Sequence, residues 1–546
     1  MTRPGAGSAT SVQREGQPAG ERTSVGPAGP ERQRSARTMW AFRGLGLVLA
    51  ALTWVALGAA ADLEPSARVV AAVGVLMATW WMTEALPLSA TALLPIVVFP
   101  SFGVLTVSEA TAPYANEIVF LFMGGFLIAI AMQRWNLHRR IALLTLRAVG
   151  THPRRIVLGM MISTAFLSMW VSNTATTLMM LPIALSVLSL VVERTGGRSD
   201  AAQQAGDAIQ EGTTIDDAVD DRSVRVFGVG LVLAIAWSAS IGGLGTLLGS
   251  PPNAIVAGYV SDELGEEIGF LQWMQLGVPL VVAFIAIAWL LITRVLFGSD
   301  LAEVPGGKEM IGDELDAMGP VSRGERLVLA VFAGAAFLWI VPGLLFEVPA
   351  IGDALPWLGE LDDTAIAIGA GIVLFLLPAE RRGRMVLVWD DAQRGLPWGV
   401  LLLFGGGLSL ASAVAASGLD AWIGAQVEPL GALPVVLLVA VIVTLVLLLT
   451  EVTSNTATAA TFIPVLGGVA LGIGADSMTL LIPAALAATC AFMLPVGTPP
   501  NAIVFGSGTV TIAQMARGGA LLNVTGVVLI TLFAFLLGGW ALDLRF

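Results

Sequence analysis

Eleven apolar runs order this chain, near residues 42–61, 67–84, 86–104, 117–135, 225–258, 268–298, 325–346, 364–379, 397–417, 477–508 and 518–542. Many reach the roughly 20 residues that an α-helix needs to cross the hydrocarbon core of a bilayer. Their continuity excludes a transmembrane barrel, whose strands alternate apolar and polar residues. Gly and Pro lie inside the runs, as helical membrane proteins tolerate. With 56% hydrophobic and only 12% charged residues, 546 residues could not cover the surface of a water-soluble domain of this size. The expected fold class is an all-α polytopic membrane protein.

Two further apolar stretches, 154–191 and 431–474, are each about as long as two helices joined by a tight turn, and each carries Ser-Asn-Thr near its middle. The arginines orient the whole. Arg32, Arg34, Arg37 and Arg43 precede the first run, and Arg134, Arg139, Arg140, Arg147, Arg154 and Arg155 follow the fourth. Lys308, Arg323 and Arg326 precede the seventh, and Arg381, Arg382, Arg384 and Arg394 the ninth. Loops 104–116, 259–267, 347–363 and 418–430 hold Asp and Glu but no Lys or Arg. Because positively charged loops stay in the cytoplasm, eleven spans are expected, with the N-terminus cytoplasmic and the C-terminus outside. Both Ser-Asn-Thr stretches must then be re-entrant hairpins, the first entering from the cytoplasm and the second from outside.

The same pentapeptide, Ser-Asn-Thr-Ala-Thr, begins at Ser172 and at Ser454, an offset of 282 that also carries Pro182 onto Pro464 and FMGGF at 122–126 onto FGGGL at 404–408. A second pair, GSPPNAIV at 249–256 and GTPPNAIV at 497–504, is offset by 248. The polar segment 193–225, present only in the first half, accounts for the difference and reads as a solvated cytoplasmic linker. Two copies entering from opposite sides form an inverted repeat, which in transporters brings broken helices together near the midplane.

The local chemistry agrees. Pro-Pro-Asn inside an apolar helix removes two backbone donors and breaks the helix, freeing carbonyls before the break and exposing amides after it. Such backbone survives at membrane depth only when packed in protein or facing an aqueous cavity. The helix N-termini offer N–H groups to an anion, and the freed carbonyls and hydroxyls suit a hard cation such as Na⁺. A single Ser-Asn-Thr would read as helix packing or a polar cap; two copies in register with two broken helices read as a site. Glu451, whose counterpart is Met169, stands outside this symmetry; a carboxylate there suits Na⁺ binding, proton acceptance or a hydrogen bond from a neighbouring backbone amide, and the last is the preferred reading.

Other functions lack their parts. The only histidines, His138 and His152, sit among arginines, so neither a Ser–His pair at depth nor a metal-ligand motif can form, and no enzyme activity is expected. A net charge of −12 with one lysine, Lys308, excludes a nucleic-acid partner. Cys490 is alone, so no internal disulfide forms. Residues 1–38 have the composition of a disordered tail, with Met39 an alternative start. GAAAD at 58–62 imitates a signal-peptide cleavage site, but the long polar leader favours a retained first helix.

Paired Ser-Asn-Thr and paired Pro-Pro-Asn motifs closely resemble those of the divalent anion/sodium symporter family, the sodium-coupled dicarboxylate, citrate and sulfate transporters, over about residues 42–542. The resemblance implies a first sodium site of Ser168, Ser172, Asn173 and the Gly249 backbone, and a second of Thr450, Thr453, Asn455 and the Gly497 backbone. It implies that substrate is held by Asn173, Thr174 and Ser250 on one side and by Asn455, Thr456, Thr498 and Pro499 on the other. Also implied are Na⁺ as coupling ion, a homodimer in the cell (inner) membrane, and an elevator mechanism. The corresponding division is a cytoplasmic tail (1–38), a first transmembrane helix (39–66), a first repeat (67–298) with hairpin 154–191, insertion 193–225 and broken helix 225–258, a cytoplasmic linker (299–324), and a second repeat (325–546) with hairpin 431–474 and broken helix 477–508. The expected function is symport of Na⁺ with a divalent anion, a C4-dicarboxylate such as succinate, malate or fumarate. A sodium-independent dicarboxylate exchanger of the same fold, or a citrate or sulfate transporter, remains the alternative.

Overall fold

Pro-Pro-Asn does interrupt its helices, and the helices on either side organise the molecule. The computed structural model describes residues 36–58, 63–150, 152–195, 215, 219, 221–299, 301, 307–380 and 383–546. Most of the expected tail and insertion, the AAAD of the cleavage-like sequence, and Arg381 and Arg382 lie outside the described residues. Among the described residues there is no strand beyond an isolated bridge between Pro378 and Met385, and ten helices are long and apolar enough to cross a membrane. The run expected as one span at 86–104 is instead two short helices, Leu88–Thr91 and Leu94–Ser101. Pro95 has no N–H to continue the preceding turn, so the chain restarts there.

The internal repeat appears as matched helix boundaries. Pro153–Ser168 and Asn173–Thr195 form the arms of the first hairpin. Val435–Thr450 and Asn455–Ile473 form the second, beginning at the offset of 282. The first arms have 16 residues each, about 24 Å at 1.5 Å per residue, short of a full crossing. The second arms, over 173–192 and 455–473, are among the ten helices long enough to cross. Pro153 takes the first helical position of its arm, where a missing N–H costs nothing. Ser172 caps the following arm by accepting from the amide of Ala175 at 3.3 Å.

The first broken helix is Arg222–Gly242, a 3₁₀ turn at Leu247–Gly249, then Pro251–Tyr259. The second is Ser477–Thr489 followed, after nine residues without helix, by Pro499–Gly506. In both, Pro opens the second segment. The segments cross between halves: Pro251–Tyr259 packs on Asn455–Ile473 and Ser477–Thr489, while Pro499–Gly506 packs on Asn173–Thr195 and Arg222–Gly242. Apolar burial is heaviest here, with Trp237, Leu231, Leu480 and Leu486 at or near zero exposure.

Two polar segments are more structured than their composition suggests. Ile215 and Val219, at the end of the 193–225 insertion, are buried, and the Ile215 amide donates to the carbonyl of Thr509 at 3.2 Å. Their i,i+4 spacing puts both on one side of a turn. The 299–324 segment contains a helix, Gly307–Ala317, tied to the Leu137–Val149 helix by an ion pair between Arg139 and Glu314. Beside it, Arg140 donates to Glu325 at 2.6 Å and to the Gly319 carbonyl at 3.0 Å. Glu325 also completes the capping box with Ser322 that starts the Arg323–Phe346 helix.

Candidate functional site

A break in a buried helix leaves backbone groups that must be satisfied, and an accounting of them locates the site. In the first break the side-chain amide of Asn253 donates to the carbonyls of Gly243 and Thr246, both at 2.8 Å. The indole of Trp273 donates to the Leu244 carbonyl at 3.0 Å, and the Thr246 hydroxyl donates to the Met169 carbonyl. In the second break Asn501 donates to the carbonyls of Ala491 and Leu494 at 3.1 and 3.0 Å. The indole of Trp237, from the first half, donates to the Phe492 carbonyl at 3.0 Å. The Asn of each Pro-Pro-Asn therefore folds its own break into a closed loop.

Four carbonyls at the breaks point instead at the hairpin tips. The Asn173 side chain lies 3.1 Å from the Ala239 carbonyl oxygen, 3.2 Å from that of Gly249 and 2.6 Å from the Ser168 hydroxyl. The Asn455 side chain lies 3.1 Å from the Ala488 carbonyl oxygen, 3.2 Å from that of Gly497 and 2.7 Å from the Thr450 hydroxyl. Ser168 and Thr450 each also reach the alanine carbonyl, at 2.7 and 2.8 Å. Each half thus gathers three oxygens, a hydroxyl and two main-chain carbonyls, around one asparagine side-chain amide, with no imidazole, thiolate or carboxylate among them. Neutral oxygens of this kind suit a hard monovalent cation, which needs several weak dipoles and no compensating charge.

Of the residues expected at the cation sites, Ser168, Asn173 and Gly249 converge in the first half, and Thr450, Asn455 and Gly497 in the second. Ser172 and Thr453 lie at the same tips, and their hydroxyls have other partners. The Ser172 hydroxyl caps its helix, and the Thr453 hydroxyl turns to the Leu449 carbonyl at 2.8 Å and the Thr458 hydroxyl at 2.6 Å. The carbonyls of Ala239 and Ala488 were not foreseen from the sequence, because a main-chain carbonyl leaves no trace in residue type. Asn253 and Asn501 were visible as motif members; their bracing role was not.

Among the expected anion-holding residues, Ser250 and Thr498 are buried at the N-termini of the segments that follow the breaks. The Ser250 hydroxyl lies 3.0 Å from the Thr489 hydroxyl, a contact between halves that joins one break to the other. Thr498 caps Asn501 at 3.4 Å, and Pro499 beside it is exposed. Thr174 and Thr456 follow the two tip asparagines, Thr174 half-buried and Thr456 buried. No Lys or Arg occurs in 165–177, 237–254, 447–459 or 486–502. Any anion here would be met by helix N-termini and hydroxyls alone.

Glu451 sits one residue past the first arm of the second hairpin and is 4% exposed. Its carboxylate accepts from the amides of Phe492 at 2.7 Å, Met493 at 3.0 Å and Leu494 at 3.0 Å, and from the Asn523 side chain at 2.7 Å. Four N–H groups take the place of a cationic partner, which is how a buried carboxylate avoids the cost of an uncompensated charge.

Residues 38–542 match the family described as "Sodium:sulfate symporter transmembrane region". A Staphylococcus saprophyticus protein named "Sodium-dependent dicarboxylate transporter SdcS" is 42% identical over 470 residues, covering 86% of this chain and 85% of that protein. A Staphylococcus aureus protein of the same name is 41% identical over 476 residues, covering 87% and 86%. Among solved structures, the YdaH transporter of Alcanivorax borkumensis superposes with a TM-score of 0.51 at 15% identity, over 86% of this chain and 99% of that one. MtrF of Neisseria gonorrhoeae, described with a class of antimetabolite efflux pumps, gives 0.54 at 12% identity, over 93% and 97%. At such identities these two likenesses concern the fold alone.

Proposed function

The chain belongs to the sodium:sulfate symporter family, and from that premise we propose that it is an integral membrane transporter that carries a dicarboxylate together with Na⁺. The observation that carries this reading is the pair of clusters, one per half, in which a hydroxyl, an asparagine amide and two main-chain carbonyls meet where a hairpin tip faces a helix break. It is a secondary active transporter, not an enzyme. Relatives above 40% identity named for dicarboxylates favour that substrate class over the sulfate of the family description.

Na⁺ would be held by Ser168, Asn173, Ala239 and Gly249 in the first half and by Thr450, Asn455, Ala488 and Gly497 in the second. Ser172 and Thr453 act as supports of the tips. The anion would lie between the halves, with Asn173, Thr174 and Ser250 on one side and Asn455, Thr456, Thr498 and Pro499 on the other. A dicarboxylate brings two negative charges into a region without Lys or Arg, and helix N-termini supply only about half a unit of positive charge each. Na⁺ provides the balance. Substrate affinity therefore rises with Na⁺ concentration, and substrate in turn tightens Na⁺ binding.

The remaining architecture follows from the same reading. Both Ser-Asn-Thr segments are re-entrant hairpins of an inverted repeat, the N-terminus is cytoplasmic and the C-terminus outside, and a homodimer moves its paired hairpins and broken helices as an elevator. The test is uptake of labelled succinate into proteoliposomes at constant ionic strength. Uptake in Na⁺ that vanishes in choline is expected, with malate and fumarate competing better than citrate or sulfate. Equal uptake in choline would replace symport with sodium-independent exchange.

A further inference from the structure

The arginines that follow the fourth apolar run, Arg134, Arg139, Arg140, Arg147, Arg154 and Arg155, are divided by the fold into two kinds. Arg134 pairs with Asp391, Arg139 with Glu314 and Arg140 with Glu325, so each of these ties two elements together. Arg147, Arg154 and Arg155 have no acidic partner among the described residues. Arg154 and Arg155 open the Pro153–Ser168 arm of the first hairpin and, with His152 and Trp289, line a cavity of about 450 Å³. Trp289, at the end of the Phe270–Leu290 helix, donates its indole N–H to the Arg154 carbonyl at 2.8 Å and so fixes the facing wall. No Asp or Glu occurs in 118–192 or in 268–299, so neither wall carries a counter-charge.

The surface below this cavity is apolar. Arg155, Leu158, Ile162 and Phe166 recur at intervals of three and four residues and therefore share one face of the arm. Ile162 and Phe166 are 40% and 39% exposed, on a helix whose other residues beyond the two arginines are buried or half-buried. On the neighbouring helix Val282, two turns before Trp289, is 63% exposed. Unpaired arginines above an apolar strip, with an indole at the boundary, match the charge and the polarity gradient of a lipid with an anionic headgroup.

We propose that this cavity binds an anionic phospholipid: Arg154 and Arg155 take the phosphodiester, and an acyl chain follows Ile162 and Phe166 along the arm. Guanidinium groups suit the task because their planar sets of N–H donors match phosphate oxygens. A soluble phosphate would leave the apolar strip uncovered, which favours the lipid as the source of the phosphate. The bound lipid would hold the base of the hairpin arm whose other end carries Ser168. The inference goes beyond the transport reading and depends on neither its ion nor its substrate.

Full-length protein purified in detergent is titrated with phosphatidylglycerol or with phosphatidylcholine of the same acyl chains, and bound lipids are counted by native mass spectrometry. Phosphatidylglycerol should bind about tenfold more tightly at the strongest site, as expected for two arginines beside one anionic headgroup. Replacing both, Arg154→Gln with Arg155→Gln, should bring the ratio close to unity. Arg147→Gln removes a charge from the same loop without touching the cavity and should leave the ratio unchanged. Glycerophosphate at the concentration of the lipid should displace none of it. Equal binding of the two lipids by the wild-type protein would overturn the site before any variant is made. A preference that survives the double substitution, or that Arg147→Gln also removes, would overturn it as well. Displacement by glycerophosphate would replace the lipid with a soluble phosphate ester. None of these outcomes bears on Na⁺ coupling, which uptake tests by itself.

Discussion

The two breaks reach one geometry by different chemistry. In the first, the amides after the helix end are absorbed locally: Leu244 donates to Ile241 and Gly245 to Gly242, at 3.1 and 3.0 Å, so the chain leaves the helix through tight turns. The sequence there is Gly-Gly-Leu-Gly, and glycine accepts such turns readily. In the second, the matching residues at the offset of 248 are Cys-Ala-Phe-Met. The amides of Phe492, Met493 and Leu494 have no such local partners and all go to Glu451. The paired position, Met169, offers its backbone carbonyl to Thr246 and packs its side chain against Gly245. A flexible sequence can close its own break, whereas a side-chain-rich one needs an external acceptor strong enough for three amides.

That difference predicts unequal mutational costs at paired positions. Glu451→Ala strands three buried amides and the Asn523 NH₂ and should cost about 3–5 kcal/mol, the range for removing one side of a buried charged network. Uptake should be lost. Glu451→Gln keeps the size but directs an NH₂ at donors, and should cost about 2 kcal/mol. Met169→Leu should stay under about 1.5 kcal/mol as a volume-conserving change. Thermal melting of the purified protein with and without Na⁺, beside uptake, makes the comparison. Equal losses for Met169→Leu and Glu451→Gln would mean that the asymmetry between the breaks is not energetic.

Where the halves agree, the effects should agree. Asn253→Ala and Asn501→Ala each remove two hydrogen bonds to break carbonyls, leaving acceptors that cost about 1–3 kcal/mol apiece when buried and unpaired. Both variants should need more Na⁺ for half-maximal uptake, because Gly249 and Gly497, at the ends of these loops, each give a carbonyl to a cluster. A shift in only one variant would show that a single cluster governs coupling. The difference between the breaks would then extend to the ion sites themselves.

The sequence made the repeat, the breaks and the hairpin tips legible because proline and paired polar motifs are costly inside apolar runs and seldom persist there without a use. Asn173 and Asn455 stood out as members of the paired motif, and Ser168 and Thr450 came from the resemblance; all four meet the breaks through their side chains. Ala239 and Ala488 did not, since they meet the tips through carbonyls that every residue possesses. Ser172 and Thr453 were expected beside the ion from the family resemblance; in the fold their hydroxyls meet backbone groups and the Thr458 hydroxyl. Glu451 was recognised as an acceptor for backbone amides, but which amides it serves depended on how the second break closes. Ile215 and Val219 were hidden by the polar residues around them.

The smallest effects distinguish a local brace from one that joins the halves. Trp273 and Trp237 are both fully buried indoles giving one hydrogen bond to a break carbonyl, Leu244 and Phe492 respectively. Trp→Phe at either should cost about 1 kcal/mol, the net worth of such a bond. Their couplings should differ. Trp237 holds the carbonyl of the same residue whose amide is held by Glu451, so one peptide segment is gripped from both sides. Trp237→Phe combined with Glu451→Gln should therefore depart from additivity by more than about 0.5 kcal/mol. Trp273→Phe acts on the other break, shares no partner with Glu451, and should add to Glu451→Gln within that margin. Melting temperatures of the two double mutants and their parents decide it. Coupling in both cycles would mean that the breaks form one cooperative unit, and the contrast between a self-closed break and a carboxylate-held one would then be a matter of chemistry without independent energetics.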